Sequence, residues 1–336
     1  RNKDDWAELL ASLAQLYVHG APVDWAGFDR PWARQRVELP GYPFERRSFW
    51  ITPSGRSWPL PAAPRGASQE GGALLGERLP TAVPIFELRL TPATLACLAD
   101  HRVHGSVLVA GPVFLEMAQA AARMLDGAGA RGARDFGIRE PLVLPDDGRV
   151  VQLHFGEAQD GVRAFTVYSR AADGSGEWRL HASGRLVPLR GDAASAGANV
   201  TAITATQDAL GSAEACDGYH EQLRSLGIEL GARFRSLVRA HRRAGEALAE
   251  IALPAAAAGD AVTWAHPALL DGALQAVGLA VPAASDADTA YLLTGIDRLD
   301  LAASLPARLW CHARVLNARD TDPAQWQAEV TLRSNE

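Results

Sequence analysis

Two apolar stretches of helical length, 112–125 and 267–280, constrain this chain more than any other feature. Each opens on a proline, Pro112 after Gly111 and Pro267 after His266. That is the first helical position, where a missing N–H costs nothing. Short alternating runs at 85–90, 149–155, 162–169 and 177–187, separated by Gly/Asp turns, flank the first helix and have the period of strands. A helix at 213–226 and runs at 233–241, 246–253, 291–300, 307–317 and 326–333 accompany the second. Two similar units follow, each wrapping strands around one buried helix.

The length agrees: 336 residues accommodate two units of ~100–200 residues and a leader segment. With 48% hydrophobic and 21% charged residues, a largely disordered chain is excluded. The longest apolar stretch, 268–284, is interrupted by Asp271 and Gln275, which argues against a membrane span. A net charge of −6 speaks against nucleic-acid binding. Cys97, Cys216 and Cys311 are far apart and odd in number, so neither a disulfide framework nor a metal site is expected. The first residues, Arg-Asn-Lys-Asp-Asp, lack the apolar core of a secretory signal and read as cytoplasmic.

Composition divides the chain further. Residues 4–19 have helical spacing, with Trp6, Leu9, Leu10, Leu13 and Leu16 on one face. Prolines and aromatics then run through Leu39-Pro40-Gly41-Tyr42-Pro43-Phe44 to Trp50, the mark of an ordered linker. The expected divisions are a linker at 1–55, a flexible joint at 56–71, units at 72–190 and 213–336, and a connector at 191–212.

Polar residues stand out beside both helices. His101 lies in Asp100-His101-Arg102-Val103-His104-Gly105, on the segment leading into the first. Asp271 and Gln275, four apart, share one face of the second. Burying a carboxylate there costs about 2–5 kcal/mol unless it is paired or protonated. A histidine and a carboxylic acid facing each other across an apolar space make a general base and a general acid.

His101-x-x-x-Gly105, Asp271-x-x-x-Gln275 and Leu39-Pro-Gly-Tyr-Pro-Phe together resemble the dehydratase domain of a modular polyketide synthase and the linker that follows its acyltransferase domain. The resemblance implies an α+β double hotdog, in which each half wraps an antiparallel sheet around a long helix. It also implies a β-hydroxyacyl thioester substrate on the phosphopantetheine arm of an acyl carrier protein, with neighbouring synthase domains and a second copy of the chain as partners. No metal or redox cofactor is implied. His101 would take the α-proton, Asp271 would protonate the departing hydroxyl, and Gln275 would steady the acid or that hydroxyl. The Gly111 N–H, at a helix N-terminus, would face the enolate-like charge.

Two positions depart from the family pattern. Ala110 stands where a proline is usual, and Leu230-Gly231-Ala232-Arg233-Phe234 stands in place of Tyr-Gly-Pro-x-Phe. A leucine at 230 cannot hydrogen-bond. The reading adopted is dehydration followed by migration of the double bond from α,β to β,γ. Dehydration alone, dehydration with oxa-Michael ring closure, and an inactive docking domain are the alternatives. Tyr291 belongs to a tunnel-lining segment by resemblance, and either supplies a hydroxyl in place of the lost one or packs as a strand aromatic. Arg239 and Arg242, in the densest basic stretch, are candidates for docking the carrier protein.

Overall fold

The computed structural model describes residues 4–32, 73–127, 129–189, 200–281, 291–301, 305–318 and 325–334. The chain forms two compact units, 1–63 and 64–336. In the first, Asp4 caps α1 (Asp5–Val18) by accepting the Trp6 N–H at 3.0 Å, and Asp24 caps α2 (Trp25–Asp29) in the same way. Edge-on aromatic contacts tie these helices: Tyr17 meets Trp25 at 5.1 Å between ring centroids, and Trp6 meets Trp32 at 6.0 Å. The Leu39–Phe44 motif and the 56–71 joint lie outside the described residues.

The second unit contains three antiparallel sheets. Seven strands form the largest, from β1 (Glu77–Arg78) and β2 (Ile85–Leu90) through β6 (Arg149–Phe155), β7 (Arg163–Ala171) and β8 (Arg179–Pro188) to β5 (Arg131–Ile138) and β13 (Gly295–Leu299). Helix α3 (Gly111–Asp126) packs on β5 and β8, buried along Gly111–Ala122, and a positive-φ Gly127 ends it. The smaller sheet joins β9 (Glu214–Ala215), β11 (Leu237–Arg243), β12 (Glu246–Ala252), β14 (Arg308–Ala318) and β15 (Trp326–Ser334) around α6 (Pro267–Ala280). β3 (His101–Val103), β4 (Ser106–Val107) and β10 (Ile228–Leu230) form the third sheet, and α3 touches α6.

Both buried helices start and stop as their sequences predict, but three features differ. The strand at 295–299, expected to close the second unit, instead pairs with β5 and extends the first sheet. The expected helix at 213–226 is shorter, α5 (Asp217–Ser225), because 214–215 pair with β11. The expected connector holds α4 (Val200–Leu210), whose Ile203 is buried against Leu248 and Trp310; residues 190–199 lie outside the described set. Strand pairing and burial on a remote sheet decided these, and neither leaves a local periodic signal. Among the described residues no helix is long and apolar enough to cross a membrane.

Candidate functional site

His101 begins β3, just after the 3-10 turn Ala96–Asp100, and is 8% exposed. It exchanges hydrogen bonds with Leu108: the Leu108 N–H donates to the His101 carbonyl at 3.0 Å, and His101 Nδ1 lies 2.8 Å from the Leu108 carbonyl. A carbonyl only accepts, so Nδ1 carries the ring proton and Nε2 keeps its lone pair. Phe234, fully buried, packs on the imidazole at 5.2 Å and fixes its plane. The result is an imidazole held by Leu108 with its Nδ1 proton committed and its Nε2 side turned to proton transfer.

Asp271 sits in the second turn of α6 and Gln275 one turn further on. The Gln275 amide donates to Asp271 Oδ2 at 2.7 Å and to the Phe234 carbonyl at 3.4 Å. Phe234 therefore reaches both halves of the site, by its ring and by its carbonyl. Burial pushes the Asp271 carboxyl above the usual carboxylate range, opposed by the proximity of His101 and by the Gln275 hydrogen bond. The structure thus brings His101, Asp271 and Gln275 together from opposite halves of the unit.

Three buried contacts absent from the sequence reading hold this arrangement. Glu116, 1% exposed on α3, accepts hydrogen bonds from the Thr263 N–H at 2.5 Å and hydroxyl at 2.8 Å. It also accepts from the Trp264 and Ala265 N–H groups, at 3.1 Å each. Those residues lead directly into α6, so Glu116 anchors the start of the helix that carries Asp271. Asp100, next to His101, accepts the Arg233 N–H at 2.8 Å through its side chain and the Gly231 N–H at 2.7 Å through its carbonyl. A Cβ at Gly231 would lie 2.5 Å from the Asp100 carboxyl carbon, so only glycine lets that loop close on it.

The third contact is Cys97, Asp260 and His266, whose side-chain ligand atoms lie within 4.8 Å of one another. His266 Nδ1 accepts the Ala268 N–H at 3.1 Å, which puts the ring proton on Nε2, 3.3 Å from Asp260. Burial first, then Asp260, push the Cys97 thiol far up. With Nε2 protonated, the cluster is a hydrogen-bonded helix cap rather than a prepared metal site.

The remaining expected residues fall in different places. Leu230, 7% exposed, is the β10 residue directly opposite His101 on β3, so their side chains share one sheet face. Ala110 is buried with φ −65° and ψ 143°, the backbone of a proline, so the substitution there leaves the loop shape intact. Gly111 begins α3, where its N–H has no intrahelical acceptor. A Cβ at Gly111 would lie 2.8 Å from Leu293 Cδ2. Leu293 therefore covers this helix end, whereas Tyr291, two residues earlier, is 36% exposed. Arg239 is paired with buried Glu250 at 2.6 Å, and Arg242 with Glu214 at 3.4 Å. Arg242 also borders a cleft of about 200 Å³ lined by Cys216, Tyr219, Gln222 and Leu279.

Residues 73–170 match the family model described as the polyketide synthase dehydratase domain, and residues 199–336 match the one described as the polyketide synthase dehydratase N-terminal domain. The chain belongs to the polyketide synthase dehydratase family. Polyketide synthase GfsE of Streptomyces halstedii is 36% identical over 281 residues, 81% of this chain and 7% of that protein. Mycoketide-CoA synthase of Mycobacterium tuberculosis is 37% identical over 293 residues, 84% of this chain and again 7% of that protein. The chain therefore spans a small part of these multidomain relatives. A solved structure of the CurK dehydratase, an inactive variant with phenylalanine in place of a histidine, superposes with a TM-score of 0.69 at 26% identity. It covers 79% of this chain and 92% of that one. A second inactive CurK dehydratase variant carries asparagine in place of an aspartate. The double hotdog expected of this α+β chain is the architecture of the family.

Proposed function

We propose that this domain eliminates water from a β-hydroxyacyl thioester carried on the phosphopantetheine arm of an acyl carrier protein. The observation that carries the reading is the pairing of His101, whose Nδ1 is committed to the Leu108 carbonyl, with an Asp271 whose carboxyl is pushed up by burial. His101 Nε2 takes the α-proton while Asp271 donates to the β-hydroxyl, which leaves as water. The Gln275 amide on Oδ2 leaves Oδ1 to face the substrate oxygen. The Gly111 N–H, at the positive end of α3, meets the enolate-like charge. The CurK dehydratase variants with one histidine or one aspartate replaced are inactive, which supports a site built on a histidine and an aspartate. No cofactor enters this scheme. A synthetic 3-hydroxyacyl pantetheine thioester tests it: the α,β-enoyl thioester should form, and its absence from folded protein overturns the reading.

Migration of the new double bond is the second step favoured here, because Leu230 shares a sheet face with His101. An apolar side chain beside the base lets the acyl chain settle deeper, so that Nε2 reaches the γ-proton and returns it to the α-carbon. Prolonged incubation should convert the α,β-enoyl product to its β,γ isomer. A Leu230→Tyr variant should lose that conversion by at least tenfold while retaining most of the elimination, with NMR of the products as the readout. An α,β-alkene that never isomerises with the parent domain contradicts the second step alone.

Carrier-protein docking is assigned to the Arg239–Arg242 edge, next to the Arg242 cleft. Arg239 is committed to Glu250, so Arg242, 48% exposed at its side chain, is the cleaner probe. Arg242→Glu should lower kcat/KM on carrier-bound substrate by about 3- to 10-fold, a rim-charge effect, and leave pantetheine thioesters unaffected. Equal losses on both substrates would remove the assignment. The dimer and the neighbouring synthase domains follow from the family reading. Size-exclusion chromatography with light scattering tests the former.

A further inference from the structure

His220, on α5, is 5% exposed, yet neither of its ring nitrogens has a well-formed hydrogen bond to a protein group. The same holds for Gln275 Oε1, also buried. These orphaned groups are neighbours. The Gln275 side chain lies within reach of the His220 ring, and the Tyr219 hydroxyl, one residue earlier, donates to the Gln275 backbone carbonyl at 3.3 Å. The orientation of the amide is fixed on its other side, since Nε2 faces both Asp271 Oδ2 and the Phe234 carbonyl, which accepts only. Oε1 is then the atom left for His220.

We propose that His220 is a positioning residue for the acid: a ring N–H donates to Gln275 Oε1 and holds the amide with its NH2 on Asp271 Oδ2. The inference rests on the acid role proposed above for Asp271. Without His220, only the 3.4 Å contact to the Phe234 carbonyl opposes a turn of the amide that presents Oε1 to Asp271. Oε1 would then accept the acid's proton and draw it away from the substrate. Burial lowers the imidazole's tendency to take a second proton, with Arg235 adding to that effect and the Gln275 side chain and Asp217 opposing it, and the ring donates in either state. The charged or titratable groups acting on Asp271 are His101 and Tyr219.

The test titrates the Asp271 carboxyl by carbon NMR in the folded domain. The Gln275 N–H favours the ionised carboxylate, so His220→Phe should raise the Asp271 pKa, and His220→Asn, which keeps an N–H donor, should restore it. In a Gln275→Leu background, His220→Phe should add nothing. Gln275→Leu alone should lower the His220 pKa, because it removes the acceptor; that measurement decides the matter if His220→Phe fails to fold. In turnover, His220→Phe should lower kcat about tenfold and move the alkaline limb of the pH profile upward. An Asp271 titration unchanged by His220→Phe, or a shift that persists without Gln275, overturns the inference. Failure of the dehydratase reading shows separately, as a parent domain that eliminates no water while the carboxyl titration remains measurable.

Discussion

His101→Phe and Asp271→Asn should each lower the rate of water elimination by about 10²- to 10⁴-fold, the range for loss of a positioned general base or acid. The phenylalanine keeps the packing against Phe234 and loses both the Nδ1 bond to Leu108 and the Nε2 lone pair. The asparagine keeps the shape of Asp271 and has no proton to give. The two variants differ in stability, which separates catalysis from folding. Asp271 binds its proton more tightly in the folded chain than in the unfolded one. Above the usual carboxylate range the unfolded chain has released a proton that the folded chain holds, so stability falls as pH rises through the raised pKa. Asparagine has no such penalty. Thermal melting at neutral pH should therefore place Asp271→Asn above the parent, the difference shrinking as pH falls to about 4 and below. A less stable, equally active Asp271→Asn would contradict both halves of the argument.

The largest stability effect belongs to a residue with no direct part in the chemistry. Glu116→Leu should destabilise the domain by about 3–5 kcal/mol, the usual result of removing one partner from a buried charged network. Four donors on Thr263, Trp264 and Ala265 lose their acceptor, and all lie where the chain turns into α6. Glu116→Gln, which keeps one acceptor oxygen, should recover part of that loss. Denaturant unfolding followed by tryptophan fluorescence, with Trp264 as a local reporter, measures it. Because the same contacts set the start of α6, the folded fraction of Glu116→Gln should also lose activity through displacement of Asp271. A Glu116→Leu domain as stable as the parent would mean the carboxylate holds nothing.

How far the sequence discloses this can be followed residue by residue. The two central helices are legible because burial on nearly all sides leaves an apolar run, and a proline marks where each starts. His101, Asp271 and Gln275 are legible because polar residues beside such runs are conspicuous. Glu116 is an equally conspicuous acid in an apolar helix, and the same logic applied to α3 would have found it. Its partners are almost all backbone N–H groups some 147 residues away, however, and backbone groups carry no sequence signature. The pairing of β13 with β5 and of β10 with β3 is hidden for a related reason: each short strand is chosen by the edge it meets. Ala110 shows the limit of reading shape from residue type, since its backbone holds proline-like angles without the ring.

The most direct test of the central claim, that His101 and Asp271 act on adjacent carbons of one thioester, is the fate of a single isotope. A 3-hydroxyacyl pantetheine thioester carrying deuterium at the α-position that is removed should give a deuterium-free enoyl product in the parent domain, the deuteron passing to His101 and the hydroxyl leaving as water protonated by Asp271. Both His101→Phe and Asp271→Asn should retain the label together with the hydroxyl over the same time, as read by mass spectrometry. Loss of the label and the hydroxyl at the parent rate by either folded variant would contradict it.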